Sequence, residues 1–447
     1  MGVRAKVVGA PRLSTRRHGC GRTVARGPHR GTDAILNAPF CSQCPRCGLA
    51  ARGLQRSLPM HRFILVLSAG LLASCRDALQ LTAPAAVAAA VGSAPYRFVD
   101  LGTLGGYTEA SAISDLDQVA GSGWTAAGTQ HAFLWAAGVM RDLGTLGGDF
   151  SVANGINASG QVVGRSSTAS GELHAFRWTD GLMEDIGPNF GVGTVLINTQ
   201  GQVAWTAPVA GGAHAMLWDA GTVVDLGTLG GPYSFATALN DRGEVVGSGR
   251  TAEGVDHAFY WSNGVMRDLG TLGGSFSNAV AVSANGQVTG MAYYSDREAH
   301  AFLWDGHMTD LGALHDFAAS WGVALNARGD VIGQSSSSTD NPEHSRPFLW
   351  RRGVLSALRE PAPYAPALSA NAVNNRGQVA GEYFRYFPSS AQVAVVWEDG
   401  VMWELGQWSR ATAINQRGDV VGSANGRAAL WRRKDAQTTT PLVATRR

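Results

Sequence analysis

Between residues 96 and 431 short apolar runs alternate with glycine-bearing turns, and one order of runs returns eight times. A tryptophan closes each copy, at Trp135, Trp178, Trp218, Trp261, Trp304, Trp350, Trp397 and Trp431, with spacings of 43, 40, 43, 43, 46, 47 and 34 residues. The fourth copy shows the pattern plainly. An apolar run ends at Leu239, a turn follows over Asn240, Asp241, Arg242 and Gly243, and a second run covers 244–248. After a variable stretch come His-Ala-Phe-Tyr-Trp at 257–261, a turn at Gly264, Val-Met-Arg-Asp-Leu at 265–269 and Gly-Thr-Leu-Gly-Gly at 270–274. Short runs rich in β-branched and aromatic residues, separated by turn residues, predict four strands, here a, b, c and d. No segment sustains a 3.6-residue period, so helix is not expected.

The step from a to b has a local mechanism. Asparagine hydrogen-bonds the backbone that follows it, and the glycine three residues on takes the left-handed conformation. Asn157, Asn198, Asn240, Asn326, Asn374 and Asn415 each carry this glycine, at Gly160, Gly201, Gly243, Gly329, Gly377 and Gly418. In the first copy Asp117 stands in the glycine's place, and aspartate tolerates that conformation.

The ends decide the architecture. The region opens with a lone strand d at 97–101 and closes with a, b and c, ending at Trp431. Pairing the first strand with the last sheet would remove both exposed edges, whereas an open solenoid would need caps. The pattern therefore predicts an all-β domain over 96–432, an eight-bladed β-propeller of four-stranded repeats closed by its N-terminal strand. A seven-bladed or irregular propeller is the alternative.

Composition suits this reading: 58 glycines in 447 residues and 16% charged residues fit many short strands and tight turns. The net charge of +2 conceals a division. Residues 1–59 hold eleven Lys/Arg against one acid, Asp33, and the remainder holds 25 against 33. An acidic body gives no footprint for nucleic acid. Cysteine divides likewise: Cys20, Cys41, Cys44 and Cys47 precede residue 60, Cys75 follows, and the repeats have none. No disulfide or cysteine-based metal site is expected in the repeats.

From Met60 a short positive start precedes an apolar run at 63–74 that ends at Cys75. This pattern predicts a secretory signal at 60–74, too short to span a bilayer as a helix. Leu72-Ala73-Ser74-Cys75 resembles the bacterial lipobox. The resemblance implies cleavage before Cys75 and diacylglycerol on its sulfur, and hence anchoring to a bacterial membrane, expected to be the outer one. The Ala/Pro-rich stretch 75–95 then reads as a tether. Residues 1–59 lack a hydrophobic pattern and read as an upstream extension with Met60 as the true start. The tail 433–447 has no strand pattern.

His131, His174, His257 and His300 each begin a His-Ala-Phe triplet. With Asp-Leu-Gly-Thr-Leu-Gly-Gly, these residues resemble the HAF-repeat family of predicted extracellular repeat proteins over roughly 98–431. The resemblance implies secretion and repeats, and no established activity.

Residues repeated on every copy read as scaffold. The histidines at the start of strand c (His131, His174, His214, His257, His300) are expected to make one structural hydrogen bond each, since equivalent atoms on neighbouring blades sit too far apart to share a metal. The aspartates of strand d (Asp100, Asp142, Asp185, Asp225, Asp268, Asp310) fall under the same reasoning. The Gly-Thr-Leu-Gly-Gly loops lack the lysine and the helix of a phosphate loop. No catalytic set, metal site or cofactor motif stands out. A ligand site is expected where copies differ, on the face carrying the b–c and d–a loops. Trp124, Trp205, Tyr293, Tyr294, Tyr383 and Tyr386 lie on or near b–c loops, together with Phe387, and exposed aromatics there suit a glycan or protein ligand. The reading is a monomeric, lipid-anchored, non-catalytic binding propeller. A secreted carbohydrate-active enzyme and a structural envelope protein are the alternatives.

Overall fold

The computed structural model describes residues 95–191, 193–295, 297–337, 345–361, 368–386 and 390–434. The upstream extension, the signal, Cys75 and the tether up to residue 94 lie outside the described residues, as do Phe387 and the tail beyond 434. The described strands belong to one compact body, residues 86–447.

Thirty-two strands and no helix make up the described residues. They follow the a-b-c-d order read from the sequence. In the first unit these are Gly105–Ile113, Val119–Thr125, Gln130–Ala136 and Val139–Asp142. They pair as antiparallel neighbours in sequence order. The last unit pairs Ser409–Ile414, Val420–Ala424 and Arg427–Arg433, and its fourth strand is the chain's first, Tyr96–Gly102. Tyr96 lies opposite Arg433 and Phe98 opposite Trp431. Strand c of this unit therefore runs one residue past the expected domain end. Single parallel bridges, Gln130 to Phe150 and Ala213 to Tyr233, tie units 1 and 2 and units 3 and 4.

Alternation along strand b explains how the sheets stack. Successive side chains point to opposite faces, so Val119 faces one neighbour and Ala120 the other. Each junction between consecutive units holds its own apolar cluster. Phe133 and Trp135 pack with Leu430 and Ala428 of the last unit, whereas Ala120 and Leu134 pack with Phe176 and Trp178 of the second. Seven of the eight units have a glycine two residues beyond that valine, and unit 3 has Trp205 there. A Cβ on Gly121 would sit 2.2 Å from the Glu109 carbonyl oxygen and 2.6 Å from the Phe133 ring. Strand a bulges opposite this glycine, between Ala110 and Ala112, which is the close approach that excludes any side chain.

The a–b turns do more than the sequence pattern states. Asn157 Oδ1 accepts from Ser159 N and Gln161 N, the local turn bonds. Its amide Nδ2 also donates to the Asn198 carbonyl of the next unit at 3.1 Å. Asn198 does the same to Asn240, Asn240 to Ser283, Asn326 to Asn374 and Asn374 to Asn415. Asn415 donates to the Ser114 carbonyl at 3.2 Å, which joins the last unit to the first.

A candidate ligand cleft

The repeated polar residues pair with each other inside their own units. His131 Nδ1 lies 2.9 Å from the Asp142 carboxylate, and the same pair recurs as His174–Asp185, His214–Asp225, His257–Asp268 and His300–Asp310 at 2.8–2.9 Å. Each aspartate also accepts from the backbone N–H two residues on, as Asp142 does from Gly144. Of the three units without the histidine, two put arginine in its position, where Arg427 pairs with Asp100 and Arg346 with Glu360, and unit 7 has Val393. The histidine pairs and Arg427–Asp100 join strands c and d, and Glu360 lies just past strand d of its unit. Among the described residues no three metal-binding side chains converge on one point.

The six aromatics expected on the b–c side divide three ways. Trp205 is 1% exposed, and its Nε1 donates to the Pro188 carbonyl. Tyr383 is 3% exposed, and its hydroxyl donates to Glu404. Their expected surface placement is corrected: both sit inside strand b, in Val203–Val209 and Val379–Arg385, where they fill the core between units. Tyr293 and Tyr294 are half-buried over their own unit. Tyr293 packs edge-on against Phe276, and Tyr294 lies over His300 while its hydroxyl bonds Glu298. That bond pushes the Tyr294 hydroxyl up to about 12. Trp124 and Tyr386 are exposed.

A cleft of about 500 Å³ opens at the last unit, on the side of the b–c and d–a loops. Tyr107, Gln392, Trp408, Arg410, Ser423 and Asn425 line it. None of them was expected from the sequence as a binding residue. Two shortened connections make the opening. In earlier crossovers a serine hydroxyl reaches back seven residues to a glycine carbonyl, as Ser151 does to Gly144 and Ser234 to Gly227. The same hydroxyl accepts from strand c, at Ala132 N and Ala215 N. Ser409 makes both bonds, to Gly406 only three residues back and from Ala394 N. The Thr-Leu-Gly-Gly segment found at four other crossovers, 103–106, 145–148, 228–231 and 271–274, is missing here. The b–c connection of the same unit is only Asn425 and Gly426.

Trp408 occupies the shortened crossover with φ of +57°. A bulky residue in the left-handed region is strained. The Asn425 N–H holds its carbonyl at 2.8 Å, yet the indole stays 57% exposed. Tyr107, also exposed, donates its hydroxyl to Glu109 at 3.2 Å. Glu109 lies 3.5 Å from Arg410, whose Nε donates to Glu382 at 3.2 Å. Burial pushes the Glu382 carboxyl above the usual glutamate range, against the pull of Arg410. The floor beside the aromatics is thus a guanidinium clamped between two carboxyl groups.

The sequence did carry a signal of this place. The spacing from Trp397 to Trp431 is 34 residues, the shortest of the seven.

No protein-family model matches the chain, and no curated protein matches it. Among solved structures it is similar to TolB from Acinetobacter baumannii, at 11% identity and a TM-score of 0.36, over 61% of this chain and 63% of that one. It is also similar to the β-propeller domain of the trilobed protease from Pyrococcus furiosus, at 10% identity and a TM-score of 0.46, over 68% and 99%. A third is the acylaminoacyl peptidase of Pyrococcus horikoshii, at 11% and 0.43, over 69% and 54%. The chain spans less than two thirds of the TolB chain and about half of the peptidase.

Proposed function

We propose that this chain is an exported, lipid-anchored, non-catalytic binding protein, an eight-bladed β-propeller of the HAF-repeat kind that holds a glycan or protein ligand in the cleft beside Trp408. Closure of the ring is supported by the pairing of Tyr96–Gly102 with Arg427–Arg433 and by the Asn415 bond to Ser114. The observation that carries the binding role is Trp408 itself. A large aromatic held exposed on a strained backbone, where both covering loops are shortened, has no packing reason to be there. Trp408→Ala should abolish ligand retention in a binding screen without lowering the melting temperature; unchanged retention would count against the cleft.

Export and anchoring rest on the signal at 60–74 and on Cys75. Cys75→Ala should move the protein from the membrane fraction to the soluble one, and unchanged partitioning would remove the anchor. Glu382, with its raised carboxyl pKa beside the cleft, favours an extracellular hydrolase as the second reading. Turnover of a glycan without stoichiometric binding would favour that enzyme over a binding protein.

A further inference from the structure

The binding reading leaves the class of ligand open, and the lining of the cleft narrows it. We infer that the cleft takes an uncharged sugar unit of a polysaccharide, laid against Trp408 and Tyr107 and hydrogen-bonded by Gln392, Ser423 and Asn425. This inference rests on the binding role proposed above.

Three features point the same way. The first is the pairing of flat apolar faces with polar groups. Trp408 is 57% exposed and Tyr107 48%. A sugar ring presents a patch of C–H bonds on one face and hydroxyls around its edge. The face suits an aromatic ring. The hydroxyls are donors and acceptors at once, and so are the Gln392 and Asn425 amides and the Ser423 hydroxyl. The second is charge. Arg410 is the one cation of the lining among the described residues, and Glu382 and Glu109 already hold it, at 3.2 and 3.5 Å. A uronate, sulfate or phosphate group would find no free guanidinium and would meet the Glu109 carboxylate. Like charges brought together select against an anionic ligand. The third is what the lining lacks. Among the described residues it contains two aromatics and no aliphatic side chain. The anchor residues of a protein partner are seated in fully desolvated pockets, and this open lining offers none.

Backbone strain provides a clean test. At φ of +57° glycine is the favoured residue, so Trp408→Gly removes the indole while relieving the backbone. The full-length protein would be screened on an array of neutral, uronate-bearing and sulfated oligosaccharides, and hits would be titrated by calorimetry. Wild type should bind a neutral glycan. Trp408→Gly and Tyr107→Ala should each weaken it by at least about tenfold. Trp408→Phe should stay within a few-fold, and all three should keep the wild-type unfolding transition. Preference for acidic glycans, lost in Trp408→Gly, would overturn the uncharged assignment and leave the cleft standing. Binding of displayed peptides but no glycan, again lost in Trp408→Gly, would overturn the sugar assignment alone. A neutral glycan bound equally by wild type and both truncated variants would overturn the cleft and the binding role placed in it.

Discussion

Between units 2 and 3 the turns meet through neutral amides. Asn157 donates to Asn198, and Gln161 Oε1 lies where a Cβ on Gly201 would sit, 2.8 Å away. Gln202 meets Gly243 and Gln378 meets Gly418 in the same way. Between units 8 and 1 the glycine's place is taken by Asp117, with φ of +65°, and the residue facing it is Asp419 rather than glutamine. Charge takes over there. Across the junction Arg417 and Arg432 both pair with Asp117 and Arg410 with Glu109, while Arg427 pairs with Asp100 on the strand that completes unit 8. The internal junctions join residues about one repeat apart, whereas the closing junction joins residues some 300 positions apart, such as Asn415 and Ser114. A contact so distant in the chain gains no help from connectivity, so its two sides must be made specific for each other. The ion pairs supply specificity more than strength. Their side chains are a quarter to a half exposed, and such pairs contribute about 0–1 kcal/mol each. The strength of the seam lies in the strand pair and in the burial of Tyr96 and Leu101.

Removing Tyr96–Gly102 should therefore have the largest effect. Losing two buried side chains alone costs about 3–6 kcal/mol, and the Arg427–Arg433 edge is left bare. The melting temperature should fall sharply, and a truncated protein as stable as the parent would end the closed-ring model. Next in size are the amides. Asn374→Ala inside the repeat and Asn415→Ala at the seam each strand buried partners, at about 1–3 kcal/mol. Equal losses in chemical denaturation would mean that the amide chain serves the seam as it serves the interior. A negligible loss at Asn415 would show the seam relying on charge instead. Gly201→Ala forces a Cβ against Gln161 at φ of +83° and should cost about 1 kcal/mol or more. Asp117→Gly relaxes the backbone as it loses two ion pairs and should stay within about 0.5 kcal/mol.

The smallest effect is in the pH dependence, where two junctions have opposite signs. Burial raises Asp330, but the Asn326 hydrogen bond and the Arg351 guanidinium outweigh it and hold the carboxyl below its ordinary value. Its contribution is present above the unfolded value of about 3.9 and is lost as pH falls through the folded one. Glu382 is raised, so its contribution is present below about 4.3 and is lost as pH rises through the folded value. Glu382→Gln should remove the decline on the alkaline side and leave the acid limb in place; an unchanged alkaline limb in the melting profile would contradict the raised carboxyl.

Much of this architecture was legible from local chemistry. Turn residues at fixed offsets and strand-length apolar runs mark the a-b-c-d order, and the lone strand at 97–101 marks its partner at the other end. The scaffold reading of the histidines and the strand-d aspartates agrees with the structure, though their pairing did not show in the sequence. His131 and Asp142 are eleven residues apart and meet only because a two-residue turn folds strand d back on strand c. Exposure of aromatics was the weak point. Trp205 is the third residue of its strand b and lies in the core, whereas Trp124 is the sixth of its own and lies in solvent near the strand's end. How far along its length a strand is covered depends on the neighbouring units, about forty residues away.

By itself the sequence determined the strand order, the turn geometry and the pairing of the chain's first strand with its last sheet, because those follow from backbone preference and from periodicity within a few residues. Only the tertiary structure decided which aromatics are buried, that the asparagines bond across units, and that the cleft lies beside Trp408. Those outcomes depend on what stands opposite each residue. At the cleft they depend on a crossover segment that is missing, which sets nothing in the local pattern except a shorter interval between tryptophans.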